Sequence, residues 1–183
     1  GSTVQLKARG EIAYLDYLGD EFEDEFRGSL AGQFNWTLMP DRVNFIVEDY
    51  LSNQPVNILN SFSPTNQQEV NVFVAGPSFY ARFDDATRGQ FDLRYSKSRA
   101  EEADEFDGDR FNGAARLIRQ LSSRDLLSLT AEGTKVEFDN AGANTDYRRF
   151  DAYFGYTREL QNLDFGIDLG YTRLEITDSG ERE

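Results

Sequence analysis

The sequence predicts an all-β fold, an antiparallel up-and-down meander of about nine long strands. Three observations carry that expectation. Apolar and polar residues alternate over long stretches, the stretches exceed ordinary strand length, and the connections between them are alternately short and long. The clearest stretch runs from Phe26 to Leu38, with even positions reading Phe, Gly, Leu, Gly, Phe, Trp, Leu and odd positions Arg, Ser, Ala, Gln, Asn, Thr. Successive side chains of a strand point to opposite faces, so this strand has one greasy face and one wet face.

The first strand spans about Val4 to Tyr17, with Val4, Leu6, Ala8, Gly10, Ile12 and Tyr14 on one face and Gln5, Lys7, Arg9 and Glu11 on the other. An acidic loop, Gly19 to Asp24, leads into the second strand, which ends at Met39-Pro40-Asp41, a tight turn where proline fixes φ. Strand three, Arg42 to Leu51, sets Val43, Phe45 and Val47 against Asn44, Ile46 and Glu48. The longest connection, Ser52 to Gln68, is rich in Asn, Gln, Ser and Pro. Strand four runs from Val70 to Phe83 with Phe73, Ala75, Phe79, Ala81 and Phe83 on one face. Gly76-Pro77 interrupts it, and proline inside a ladder predicts a bulge or an edge.

Asp84 to Ala86 turns the chain into strand five, where Gly89, Phe91, Leu93 and Tyr95 oppose Arg88, Gln90, Asp92 and Arg94. An acidic loop from Ala100 to Asp109 precedes strand six, Arg110 to Leu121. Ser122 to Asp125 leads to strand seven, Leu126 to Phe138, and a Gly/Asn loop follows from Asp139 to Asp146. Strand eight, Tyr147 to Leu160, presents Phe150, Ala152, Phe154 and Tyr156 against Arg149, Asp151, Tyr153 and Thr157. Gln161-Asn162 closes a hairpin into strand nine, Leu163 to Ile176.

Strands of this length exceed the usual five or six residues and reach the roughly 9 to 11 that a tilted strand needs to cross a bilayer. Short turns at one end and longer loops at the other are the rhythm of a transmembrane β-barrel, so a barrel or a segment of one is expected. Tyr14, Trp36, Tyr95, Tyr156 and Tyr171 fall near strand ends on the apolar face, where membrane-girdle aromatics lie. Arg27, Arg42, Glu48, Arg88, Asp92, Arg94, Arg116, Asp151, Asp164 and Asp168 fall on the wet face as the expected lumen charges. These charges, with Arg149 and Glu132, either line a polar passage or pair across strands. The rival reading is a soluble or surface-exposed antiparallel β-sheet binding module with its apolar face turned inward.

Composition narrows the classes. With 183 residues one domain is expected, and no apolar run is long enough for a membrane-spanning helix. Nineteen Lys+Arg against thirty-three Asp+Glu leave a net charge of −14, which disfavours a nucleic-acid partner. Cysteine and histidine are both absent, which removes disulfides, thiolate or imidazole metal sites and Ser-His-Asp catalysis. No enzyme activity, cofactor or metal is expected. The acidic run Glu101, Glu102, Asp104, Glu105, Asp107, Asp109 lacks the spacing of a calcium-binding EF-hand loop and reads as a solvated loop. Gly1-Ser2 reads as a tag scar, and the tail Ser179 to Glu183 falls inside an expected outward loop. Since bacterial single-chain barrels have even strand numbers, nine strands predict a truncated segment whose open edges invite self-association.

Four stretches carry a resemblance: Asn71-Val72-Phe73-Val74-Ala75-Gly76-Pro77-Ser78-Phe79, Leu117-Ile118-Arg119-Gln120-Leu121-Ser122, Asp146-Tyr147-Arg148-Arg149-Phe150-Asp151 and Leu169-Gly170-Tyr171. Over residues 60 to 175 the chain resembles β-barrel porins of Gram-negative bacteria, including barrel proteins found beside exopolysaccharide and exosortase gene clusters. The resemblance implies an outer-membrane barrel surrounded by lipid and lipopolysaccharide, with a role in exopolysaccharide export or surface assembly. Polysaccharide or small polar solutes are the partners it suggests. It transfers no catalytic or ligand residue.

Overall fold

The computed structural model describes residues 3–18, 24–56, 66–101, 107–140, 145–161 and 163–177. The Gly1-Ser2 start, the 179–183 tail, Asn162 and residues 102, 104 and 105 of the acidic run lie outside the described residues. Nine strands form one sheet in chain order: β1 (Val4–Leu15), β2 (Glu25–Met39), β3 (Val43–Gln54), β4 (Gln68–Arg82), β5 (Thr87–Ala100), β6 (Gly108–Gln120), β7 (Asp125–Phe138), β8 (Tyr147–Glu159) and β9 (Asp164–Ile176). Every neighbouring pair is antiparallel, as two-stranded connections allow. The connections 40–42, 83–86, 121–124 and 160–163 lie at one end, and the longer 16–24, 55–67, 101–107 and 139–146 at the other.

Local details differ from the sequence reading. β1 stops at Leu15, two residues early, and β3 runs on to Gln54 because Ser52, Asn53 and Gln54 find ladder partners in Val70, Glu69 and Gln68. Gly76-Pro77 produces neither bulge nor edge. β3 pairs straight through it, Ile46 with Gly76 and Phe45 with Pro77, while the β5 pairing lapses at these two residues and resumes in the same register, Ala75↔Tyr95 to Ser78↔Asp92. Proline offers no donor there, its carbonyl accepts from Arg94 Nη1 at 2.7 Å, and a β-carbon on Gly76 would overlap the Leu93 carbonyl. The register slips instead between Thr37 and Met39, beside the Pro40 turn, where Asp41 takes φ 57° and Arg42 N–H bonds Met39 O at 3.1 Å.

The registers divide the side chains into two continuous faces. Tyr14, Phe26, Phe34, Trp36, Phe45, Phe79, Phe91, Leu93, Leu117, Leu129, Phe154 and Leu169 share one. The opposite, polar face is the crowded one. The buried hydrophobics among the described residues, Val70 and Val136, lie there, as do buried Gln68, Ser78, Thr130 and Asp151. The apolar face stays open: Ile12 is 83% exposed, Phe26 76%, Leu169 65% and Leu129 55%. The accessible surface of 13333 Å² compares with about 9,000 Å² for a compact soluble monomer of this mass. A sheet normally buries its apolar face against a second layer, and none is present among the described residues.

Candidate functional site

The polar face carries a hydrogen-bonded lattice of charged and neutral side chains. In its centre Asp92 accepts from Ser78 Oγ at 2.6 Å, Gln90 Nε2 at 2.7 Å and Arg94 Nη2 at 3.3 Å. Arg94 also donates to Ser78 Oγ at 2.6 Å and to the carbonyls of Pro77 and Leu93. Three strands along, Asp151 accepts from Arg149 Nε at 2.6 Å and from Thr172 Oγ1 at 2.7 Å. Glu132 accepts from Asn112 at 2.7 Å, Glu48 from Gln33 at 2.7 Å, and Arg116 Nε reaches Thr130 Oγ1 at 3.3 Å.

The ion pairs of this face run along strands. Arg94 meets Asp92, Arg149 meets Asp151, and Arg27 meets Glu25, each two residues apart and therefore on the same side. Across the ladder, neutral groups answer the charges, as Ser78, Asn112 and Thr172 do. Arg27 Nη2 also donates to the Tyr17 hydroxyl, which in turn donates to Glu25; that bond to a carboxylate raises the Tyr17 pKa. Asp168 sits over Gly155, where an added β-carbon would lie 2.5 Å from its Oδ1 and 2.6 Å from Ser128 Oγ. Asp164 stands opposite Glu159 at the short-turn end. Arg42 and Arg88 make no ion pair among the described residues. No group of three or more Asp and Glu is placed to hold a metal among the described residues.

The apolar face is framed at both rims. Tyr14 packs on Phe26 with ring centroids 4.9 Å apart and donates to Asp24 at 2.8 Å. Tyr95 packs on Phe111 at 5.1 Å and donates to Asp109 at 2.5 Å. Tyr156 donates to Asp125 at 2.7 Å and Trp36 lies between Val4 and Phe45, whereas Tyr171, opposite Ala152, stands mid-strand and not at a rim. Each bonded tyrosine thus keeps its ring on the apolar band and its hydroxyl on a carboxylate at the edge.

Charges on this face define the rims further. Asp109 and Arg119 in β6, Asp125 and Lys135 in β7, and Arg148 and Arg158 in β8 are each ten residues apart, with small, aliphatic or aromatic residues between them on that side. Lys97–Asp109 at 3.2 Å and Lys135–Glu137 at 2.7 Å join along the long-loop rim, and Arg158–Asp125 at 3.6 Å along the other. Ten residues span about 33 Å of strand. This framing was not read from sequence. Its signal was available there as charge recurring at a ten-residue interval on the otherwise apolar side of three strands.

The chain matches no protein-family model, no curated protein and no solved structure.

Proposed function

We propose that the chain is a segment of an outer-membrane β-barrel, with its apolar face in lipid and its polar face lining a passage or scaffold for polysaccharide or small polar solutes. The observation that carries this reading is the inverted burial: polar side chains shield one another on one face while large apolar ones stand open on the other. Crowding on the polar face fits a sheet curling toward that side, so that the hydrophilic lattice becomes the interior. The charge-framed band fits the same reading, since about 33 Å of strand at the tilt near 40° of such barrels covers about 25 Å, the height of their apolar belt. Lipopolysaccharide would meet the long-loop rim. Transport would be passive, with selectivity set by inward charges such as Arg94, Asp92, Asp151 and Asp168 and by the longer connections.

Fractionation tests the proposal. The native protein should appear in the outer-membrane fraction and leave it only with detergent; release into buffer alone would overturn it. Planar-bilayer recording then separates the two versions, because a passage conducts and a closed scaffold does not.

A further inference from the structure

We propose that the polar-face cleft at the short-turn end of β2 to β5 binds an oxyanion carried on a hydroxyl-bearing solute, with Arg82 and Arg88 as its anchors. The cleft encloses about 700 Å³ and is lined by Thr37, Asp41, Asn44, Tyr80, Arg82 and Arg88 among others, a volume typical of small-molecule sites. Register brings the lining together: Thr37 faces Asn44 across β2 and β3, and Arg82 stands directly opposite Arg88 across β4 and β5.

That last pairing is what folding alone does not explain. Like charges directly opposed destabilise a ladder, and this chain holds thirty-three acids against nineteen bases, so acidic partners are not scarce. Arg82 Nη2 donates to Asp85 at 2.6 Å and Nε to the Asp84 carbonyl at 3.4 Å. Asp85 is 98% exposed, so this ion pair contributes little and is easily exchanged. The Asp84 carboxylate is occupied by the Ala86 and Thr87 amides, at 2.8 and 2.7 Å. Arg88 makes no ion pair among the described residues, and Arg116, opposite Gln90, extends the positive surface by one strand. Asp41 is the acid of the lining.

Two guanidinium forks at one cleft match the planar, bidentate geometry of a carboxylate, phosphate or sulfate. Such an anion removes the Arg82–Arg88 repulsion on binding, which makes the unliganded pair the less stable state. Thr37, Asn44 and Tyr80 offer a hydroxyl, an amide and a phenol to the solute's neutral hydroxyls. In the passage proposed above this end would favour anions. The binding itself does not depend on that reading.

The test is titration of the full chain in detergent micelles with glucuronate, inorganic phosphate and, as the neutral control, glucose. Calorimetry gives affinity, and fluorine NMR of fluorotyrosine-labelled protein reports the site, with the Tyr80 signal assigned through Tyr80→Phe. Glucuronate or phosphate should shift the Tyr80 signal and glucose should not. Arg82→Gln and Arg88→Gln should each weaken the anion at least about tenfold. Arg88→Gln should melt no lower than the parent, because it relieves a like-charge pair. Tighter binding of glucuronate would assign an acidic sugar, and tighter binding of phosphate a phosphate group. Equal response to glucose, undiminished affinity in both variants, or no binding by either anion would overturn the site. Retained anion binding with no bilayer current would remove the passage and leave the site standing.

Discussion

An arginine scan along the apolar side of β7 tests where that face lies. Between the rim charges Asp125 and Lys135 the positions on this side are Leu127, Leu129, Ala131 and Gly133. Successive positions lie about 6.6 Å apart along the strand and about 5 Å apart in depth at a tilt near 40°. Leu129 and Ala131 therefore fall within about 3 Å of the band's centre, and Leu127 and Gly133 about 8 Å from it. In a bilayer the arginine penalty is depth-dependent, so about 2 to 4 kcal/mol is expected at Leu129 and Ala131, falling toward about 1 kcal/mol at Leu127 and Gly133. Leu129→Ala separates the loss of the leucine from the gain of charge. The alternatives give different shapes. A face covered by a second protein layer predicts a uniformly high cost, about 3 to 5 kcal/mol for an uncompensated buried charge. A face in water predicts values within about 0.5 kcal/mol of zero, given that Leu129 is 55% exposed in the sheet. Reversible urea unfolding from phospholipid vesicles, followed by the fluorescence of the single tryptophan and extrapolated linearly, yields the four values. A flat profile of either height would refute the lipid-facing assignment.

Trp36 offers an independent reading of depth. It lies on the apolar face beside the short-turn rim, so lipids brominated near the headgroup should quench it more than lipids brominated at the chain end; emission unaffected by either places it out of the bilayer. Gly108 and Gly133 contrast the two faces. Gly108→Ala puts a β-carbon 2.6 Å from the Glu137 carbonyl oxygen, a backbone atom on the polar side, and should cost about 1 to 2 kcal/mol, whereas Gly133→Ala meets nothing within 4 Å and should be neutral or stabilising by about 0.5 kcal/mol. Thermal or urea melts of the two variants check this, and equal effects would contradict the crowding assigned to the polar face. In the β4–β5 turn, the Ala86 amide foremost, then Thr87, holds the Asp84 carboxyl below its ordinary pKa. A depressed carboxylate stabilises the fold above its unfolded value and loses that contribution as the pH falls through the folded one. Amide exchange at Ala86 and Thr87 should thus quicken only below the usual carboxylate range, and Asp84→Ala should quicken it already at neutral pH.

Strand identity was legible because alternation at period two is a property of each strand alone. Phe26 to Leu38 separates into its two faces without reference to any neighbour, and β1, β4, β5, β8 and β9 do so nearly as well. The loop rhythm was legible for the same local reason. What depended on two strands at once was not. Pairing across strands was one of two readings of the polar-face charges, and Arg94 and Arg149 turn instead to carboxylates on their own strands, because the residues opposite, Asn112 and Thr134, are neutral. The Gly76-Pro77 step reads as a break in sequence, and it is one on the β5 side alone, where pairing lapses at these two residues while β3 runs through them. Nothing local in Arg82 or Arg88 announces that they stand face to face.

The topology also constrains the barrel proposed above. β1 and β9 have the same direction, since every intervening neighbour is antiparallel and eight reversals separate them. Joining these two strands directly would make one parallel seam, whereas an entirely antiparallel closure needs an odd number of further strands between them. β9 is exposed along its whole length and β1 along nearly all of it, so among the described residues each is an edge whose outward backbone groups, Val4 aside, face no further strand. In hydrocarbon such an edge is untenable, because unsatisfied peptide groups cost several kcal/mol each there. The apolar band and the open edges therefore make opposite demands on the isolated sheet. The band favours insertion into lipid, and the edges forbid it until further strands, from this polypeptide or from neighbouring copies, complete the ladder.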